Sequence, residues 1–178
     1  TRGEKAIPLA EPHVLRNDFF EVTLHPERGG IAALRTWNRS PNLLSQQVAF
    51  RFPKFRTVTI GEGEDQFEQK THYTEMRATG CEVVASGPVC GIVRTTGEIV
   101  DQTANRVLAR FTQSFRIWRH RPYLELTIEL DPLKSPDPEP WHSYFGARFA
   151  YGNTAVLSRS AHGAPFETTD ERLESPEF

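Results

Sequence analysis

Apolar and polar residues alternate with a period of two along most of the chain, the repeat of a strand with one face on a core and the other on water. From Tyr123 to Leu130, Leu124, Leu126, Ile128 and Leu130 fall on one side, opposite Tyr123, Glu125, Thr127 and Glu129. From Val107 to Trp118, Val107, Ala109, Phe111, Phe115 and Ile117 share a face that Gln113 interrupts, opposite Arg110, Thr112, Ser114 and Arg116. The polar, proline-bearing segment from Trp118 to Pro122 reads as the turn of a long hairpin. Further strands are predicted at Phe19–Leu24, Ile31–Trp37, Leu44–Phe52, Thr57–Ile60, Thr71–Ala78, Cys81–Ala85, Val89–Glu98 and Ala155–Arg159. Trp141–Phe149 alternates again, with Trp141, Phe145, Ala147 and Phe149 on one side. Pro26-Glu27-Arg28-Gly29-Gly30 carries the composition of a hairpin turn.

No segment keeps a helical period, and the best candidate, Leu43–Val48, is too short to form one. Gly61–Gln66 reads as an acidic loop, and Asp131–Pro140, with four prolines, as a stiff connection between strands. Many strands, short turns and no helix imply an all-β domain of two packed antiparallel sheets spanning residues 1–178. No strand clearly closes the fold before Phe178. A sandwich truncated there would leave apolar sheet surface open, and weak homodimerisation is the expected consequence.

Composition narrows the partners. The 178 residues include 21 Lys plus Arg against 23 Asp plus Glu, so no strongly basic face is expected and nucleic acid is not the expected partner. No apolar run approaches the roughly 20 residues of a membrane span, and there is no secretory core. The chain starts at Thr1 and holds one methionine, Met76, as expected of a processed chain or a fragment of a longer protein, so its compartment stays unassigned. Cys81 and Cys90 flank the turn signal Ser86-Gly87-Pro88. That spacing is compatible with two small buried thiols or with a disulfide, and two cysteines alone build no zinc site.

Several of these segments resemble the C-terminal β-domain of family 38 glycoside hydrolases, the α-mannosidases. Leu15-Arg16-Asn17-Asp18-Phe19-Phe20-Glu21-Val22-Thr23-Leu24, running into His25-Pro26-Glu27-Arg28-Gly29-Gly30-Ile31-Ala32-Ala33-Leu34, is similar to the family's opening hairpin. Arg121-Pro122-Tyr123-Leu124-Glu125-Leu126-Thr127-Ile128 resembles its later Tyr-x-Glu-Leu strand, and Phe145-Gly146-Ala147-Arg148-Phe149 is similar at the matching place. The resemblance implies a truncated antiparallel supersandwich of galactose-mutarotase-like type. It also implies a parent glycosidase whose zinc and carboxylate nucleophile lie in a separate catalytic domain, which would be this domain's partner. No cofactor is then expected in this chain, and on its own it is expected to show no turnover on aryl mannosides.

A retaining glycosidase needs two carboxylates close together. Glu125 and Glu129 share a strand face but stand roughly 13 Å apart by strand rise, as suits a solvated face. The histidines, His13, His25, His72, His120, His142 and His162, show no metal-ligand spacing. A sugar epimerase would need a paired acid and base, for which His72 with Glu75, or His142 with Glu139, are the nearest sequence neighbours. Carbohydrate binding needs an aromatic platform ringed by planar polar groups. His142, Tyr144 and Arg148 supply these types on the face opposite Trp141, at roughly 6–7 Å per alternate position. Trp118 with Arg119 forms a weaker second candidate. Asn38-Arg39-Ser40 has the form of a glycosylation acceptor but is followed by Pro41, and is discounted. Three function classes result: an accessory carbohydrate-binding domain of an α-mannosidase-like hydrolase, a free-standing mutarotase-like epimerase, and a structural or interaction domain of a degenerate relative.

Overall fold

The computed structural model describes residues 7–36, 40–60, 64–139, 141–152, 157–161 and 164–168. Among them there is no helix, and every strand pairing is antiparallel. The first half of the chain folds into β1 (Ala10–Glu11), β2 (Val14–Arg16), β3 (Phe20–Leu24), β4 (Ile31–Thr36), β5 (Leu44–Ile60) and β6 (Glu64–Tyr73). Then come β7 (Glu75–Ser86), β8 (Cys90–Asp101), β9 (Arg106–Trp118), β10 (Leu124–Pro132) and β11 (Tyr144–Tyr151), followed by β12 (Leu157–Ala161) and β13 (Ala164–Thr168). The first sheet runs β1-β2-β3-β4-β5-β11, with β6 also on β5; the second runs β10-β9-β8-β7; β12 and β13 pair with each other.

The all-β expectation therefore holds, and the alternation explains it. In β10 and β9 the register sets Leu124 opposite Ile117, Leu126 opposite Phe115 and Leu130 opposite Phe111, so the apolar faces of the long hairpin coincide. Two core clusters fill the space between the sheets. Leu15, Val22, Leu24 and Ile31 of the first sheet meet Val93, Phe115 and Ile117 of the second. Val48 and Phe50 meet Met76, Ile99, Leu108 and Phe111. Fully burying one such side chain is worth about 1.5–3 kcal/mol, which is why the alternating positions decide the fold.

Several boundaries differ from the sequence reading. The strands expected at Leu44–Phe52 and Thr57–Ile60 are one strand, β5, running through Pro53. Beyond Arg51 its only neighbour among the described residues is β6, so the missing N–H of the proline interrupts no ladder between two described partners. The expected acidic loop gives way to β6 from Glu64 onward, and residues 61–63 lie outside the described residues. Thr71–Ala78 is divided at Thr74, where the chain passes from one sheet to the other. Buried Thr74 secures that corner, donating its N–H to Phe50 O at 3.0 Å and accepting the Phe50 N–H on Oγ1 at 2.8 Å. In β9 a register shift against β8 brings Leu108 into the core and leaves Val107 half-buried. The short strands β1, β2 and β13 carry too little alternation to be read in advance; the strand expected at Ala155–Arg159 is met by β12, which runs Leu157–Ala161, while residues 155 and 156 lie outside the described residues.

The cysteines also resolve. Cys81 lies opposite Thr95, whereas Cys90 sits at the turn end of the β7–β8 hairpin, opposite Trp118. Strand pairing thus holds them far apart, and both thiols are free.

Candidate functional site

The β3–β4 turn is held by glycine geometry and by hydrogen bonds to both sheets. Gly29 takes a φ of +81°, a conformation that only glycine adopts cheaply. A Cβ on Gly30 would stand 2.3 Å from Gln46 O. The turn closes on itself through His25 N–H to Gly30 O at 2.8 Å and Gly29 N–H to His25 O at 2.7 Å. It is then clamped to the second sheet: Ala78 N–H donates to Glu27 O at 2.8 Å, while Thr95 Oγ1 and Gln113 Nε2 donate to Gly29 O at 2.8 and 3.2 Å. Gln113, which interrupts the apolar face of β9, is fully buried and accepts from Gln46 Nε2 at 2.8 Å. Asn17 plays a similar part at the opposite end. Its Nδ2 donates to Trp118 O and Arg121 O at 3.0 and 2.9 Å, and its Oδ1 accepts from Phe19 and Phe20 N–H.

Beside the clamped turn lies the outer face of β5, β6 and β11. Register partners in an antiparallel pair project to the same side, so Tyr144, Arg51 and Tyr73 form one row across three strands. The Arg51 guanidinium lies 5.5 Å from the Tyr144 ring centre, and that of Arg148 only 3.8 Å from the Tyr73 ring centre. Gly146 separates Tyr144 and Arg148 on the face, and a Cβ there would stand at ordinary contact distance, 3.4 Å, from the Tyr144 ring. Arg51 also donates to Trp141 O and, at 3.2 Å, to Thr71 Oγ1. Tyr73 and Tyr144 keep 41% and 39% of their surface.

The contrast with the second sheet is chemical. There four outward arginines meet carboxylates across the strands: Arg77 with Glu98 at 2.6 Å, Arg116 with Glu125 at 3.6 Å, Arg94 with Glu82 at 3.8 Å and Arg110 with Asp131 at 3.9 Å. That is a solvated, charge-matched sheet face, and Glu125 belongs to it. On the first sheet Arg16 is matched in the same way to Glu11 and Glu21, at 2.8 and 3.6 Å, but Arg51 and Arg148 rest on tyrosines and have no carboxylate partner among the described residues.

The expected site residues are thus placed unevenly. Tyr144 and Arg148 share the outer face of β11. His142 does not join them on a strand, because β11 begins only at Tyr144. It sits exposed in the preceding turn, its N–H donating to Glu139 O at 3.0 Å. Trp141, expected on the core side of that strand, is 69% exposed. In the second candidate, Trp118 packs on Tyr123 with ring centres 4.9 Å apart. Arg119 spends its donors on Pro88 O and Ile7 O at 2.9 and 3.2 Å, tying loops together. His72 stacks on Phe52. Asn38 and His162 lie outside the described residues. No group of three potential metal ligands comes together among the described residues. Sequence reasoning missed Tyr73 and Arg51, which reach Arg148 and Tyr144 only through non-local strand pairing.

The class these features define is an antiparallel all-β sandwich bearing an arginine–tyrosine face. Comparison with known proteins adds no family to that class: no family model, curated protein or solved structure was found to match the chain.

Proposed function

We propose that the chain is a non-catalytic, carbohydrate-binding β-sandwich domain of an α-mannosidase-like glycoside hydrolase, with the outer face of β5, β6 and β11 as its sugar-facing surface. The observation that carries the reading is the pairing of Arg148 with Tyr73 and of Arg51 with Tyr144. A pyranose offers an apolar C–H face to an aromatic ring and a rim of hydroxyls to planar donors. Guanidiniums already stacked on rings are pre-oriented, so little side-chain freedom is lost when they bind. The hydrolase part of the reading rests on the resemblance of the Leu15–Leu34 hairpin and the Tyr123–Ile128 strand, and the galactose-mutarotase-like topology is proposed on the same basis. The experiment is titration of the chain with mannose-containing oligosaccharides, alongside Arg148→Ala and Tyr144→Ala variants. Each substitution is expected to weaken binding about tenfold or more, the loss of a charge-assisted hydrogen bond or a stacking ring. Unchanged affinity in both variants, with the fold intact, would make the face an ordinary sheet surface.

A further inference from the structure

At the end of the arginine–tyrosine face nearest the β3–β4 turn, the sheet opens into a groove of about 340 Å³. Its origin is a divergence of strands. Among the described residues the register of β4 on β5 is confined to Leu34 opposite Leu44, and toward the turn the gap is bridged by side chains, Ser45 Oγ donating to Ala32 O at 3.0 Å. The turn contributes His25 and Arg28 to the groove, β5 contributes Gln47, and β11 contributes Arg148 and Ala150. The buried bonds to Gly29 O and the backbone bond to Glu27 O fix the turn on the second sheet, so His25 and Arg28 are presented from a rigid backbone.

The electrostatics of the groove are one-sided. Arg28, Arg148 and His25 are among the residues that line it, and no aspartate or glutamate is. Arg28 has no hydrogen bond or ion pair among the described residues, unlike the charge-matched arginines of the second sheet. His25 Nδ1 accepts the Glu27 N–H at 3.2 Å, which places the proton of the neutral ring on Nε2, as a donor. A planar anion satisfies such a set of donors, and guanidiniums match carboxylate geometry in particular.

We infer that this groove takes the carboxylate of an acidic sugar, a uronic acid unit of a glycan whose neighbouring ring lies on Tyr73 and Tyr144. The inference rests on the carbohydrate reading above and names its ligand class. The test is calorimetric titration of the wild-type chain and an Arg28→Gln variant. The probes are oligomers of mannuronate, glucuronate and galacturonate, the same oligomers with their carboxyls methyl-esterified, and neutral manno-oligosaccharides. The free acids of one uronate are expected to bind roughly tenfold or more tightly than their esters, and Arg28→Gln is expected to shrink that difference to about twofold. Equal binding of acid and ester, preference for the neutral oligosaccharides, or an acid preference that survives Arg28→Gln would overturn the groove assignment while leaving carbohydrate binding in place. Binding of no probe at all would overturn both.

Discussion

Removing the Gln113 amide by Gln113→Leu tests the clamp that positions the groove. Gln113 is fully buried; it donates to Gly29 O at 3.2 Å and accepts from Gln46 Nε2 at 2.8 Å. Leucine fills a similar volume but leaves the Gln46 amide N–H without its partner. A buried donor left unsatisfied costs about 1–3 kcal/mol, and loss of the bond to Gly29 O adds about 0.5–1.5 kcal/mol. Gly29 O keeps its bond from Thr95, which limits the second contribution. The expected total is a loss of roughly 2–4 kcal/mol, a large share of the 5–15 kcal/mol typical of a domain. Gln46→Leu alone orphans the Gln113 acceptor and the weaker bond from Ile31 N–H at 3.4 Å, so its cost is expected to be similar or smaller. The double variant removes both halves of the amide pair together. It is expected to be less destabilised than the sum of the single variants by about 1–2 kcal/mol, because no amide is then left facing an apolar neighbour. Urea unfolding of the four proteins gives the cycle, with unchanged m values as the check on two-state behaviour. Single variants within about 0.5 kcal/mol of wild type, or costs that simply add, would refute the claim that the amide pair acts as one unit.

Two further outcomes follow from packing. Gly97→Ala is expected to destabilise the second sheet by about 1–3 kcal/mol, since the new Cβ would stand 2.3 Å from Arg77 O and 2.5 Å from the Phe111 ring; an unfolding midpoint equal to wild type would contradict it. Phe149 and Tyr151, on the core-facing side of edge strand β11, are each 49% exposed, so sedimentation at rising concentration is expected to show reversible self-association that Phe149→Ser weakens; a strictly monomeric profile would count against it.

The part of the fold that was legible in the sequence is the part that local alternation determines. The β9–β10 hairpin and the β3–β4 turn were readable because each element, its turn and its buried face lie within a few tens of residues. The passage between sheets at Thr74 was not, because a threonine inside an alternating run looks the same whether the strand continues or crosses. Trp141 misled for a related reason. Alternation assigns a residue to a face only while the backbone stays extended, and here the strand starts at Tyr144, after a turn. The same late start removed His142 from the face that Tyr144 and Arg148 share.

What alternation cannot supply is the identity of the neighbouring strand, and the candidate site depends on that. Arg148 meets Tyr73, and Tyr144 meets Arg51, across sequence gaps that no local pattern spans. One local signal does point to the region. Gln113 stands where the apolar rhythm of β9 calls for a large hydrophobe, and burying an amide there is costly unless every polar atom is matched. A fold that keeps such a residue must bring matching groups to it from another element. Here they come from Gln46 on β5 and from Gly29 in the turn, the two segments that also line the groove together with Arg148. A polar break in an otherwise apolar strand face therefore says more about where two sheets are locked in register than the exposed histidines and tryptophan do. It marks the place where a rigid surface can be built above the lock.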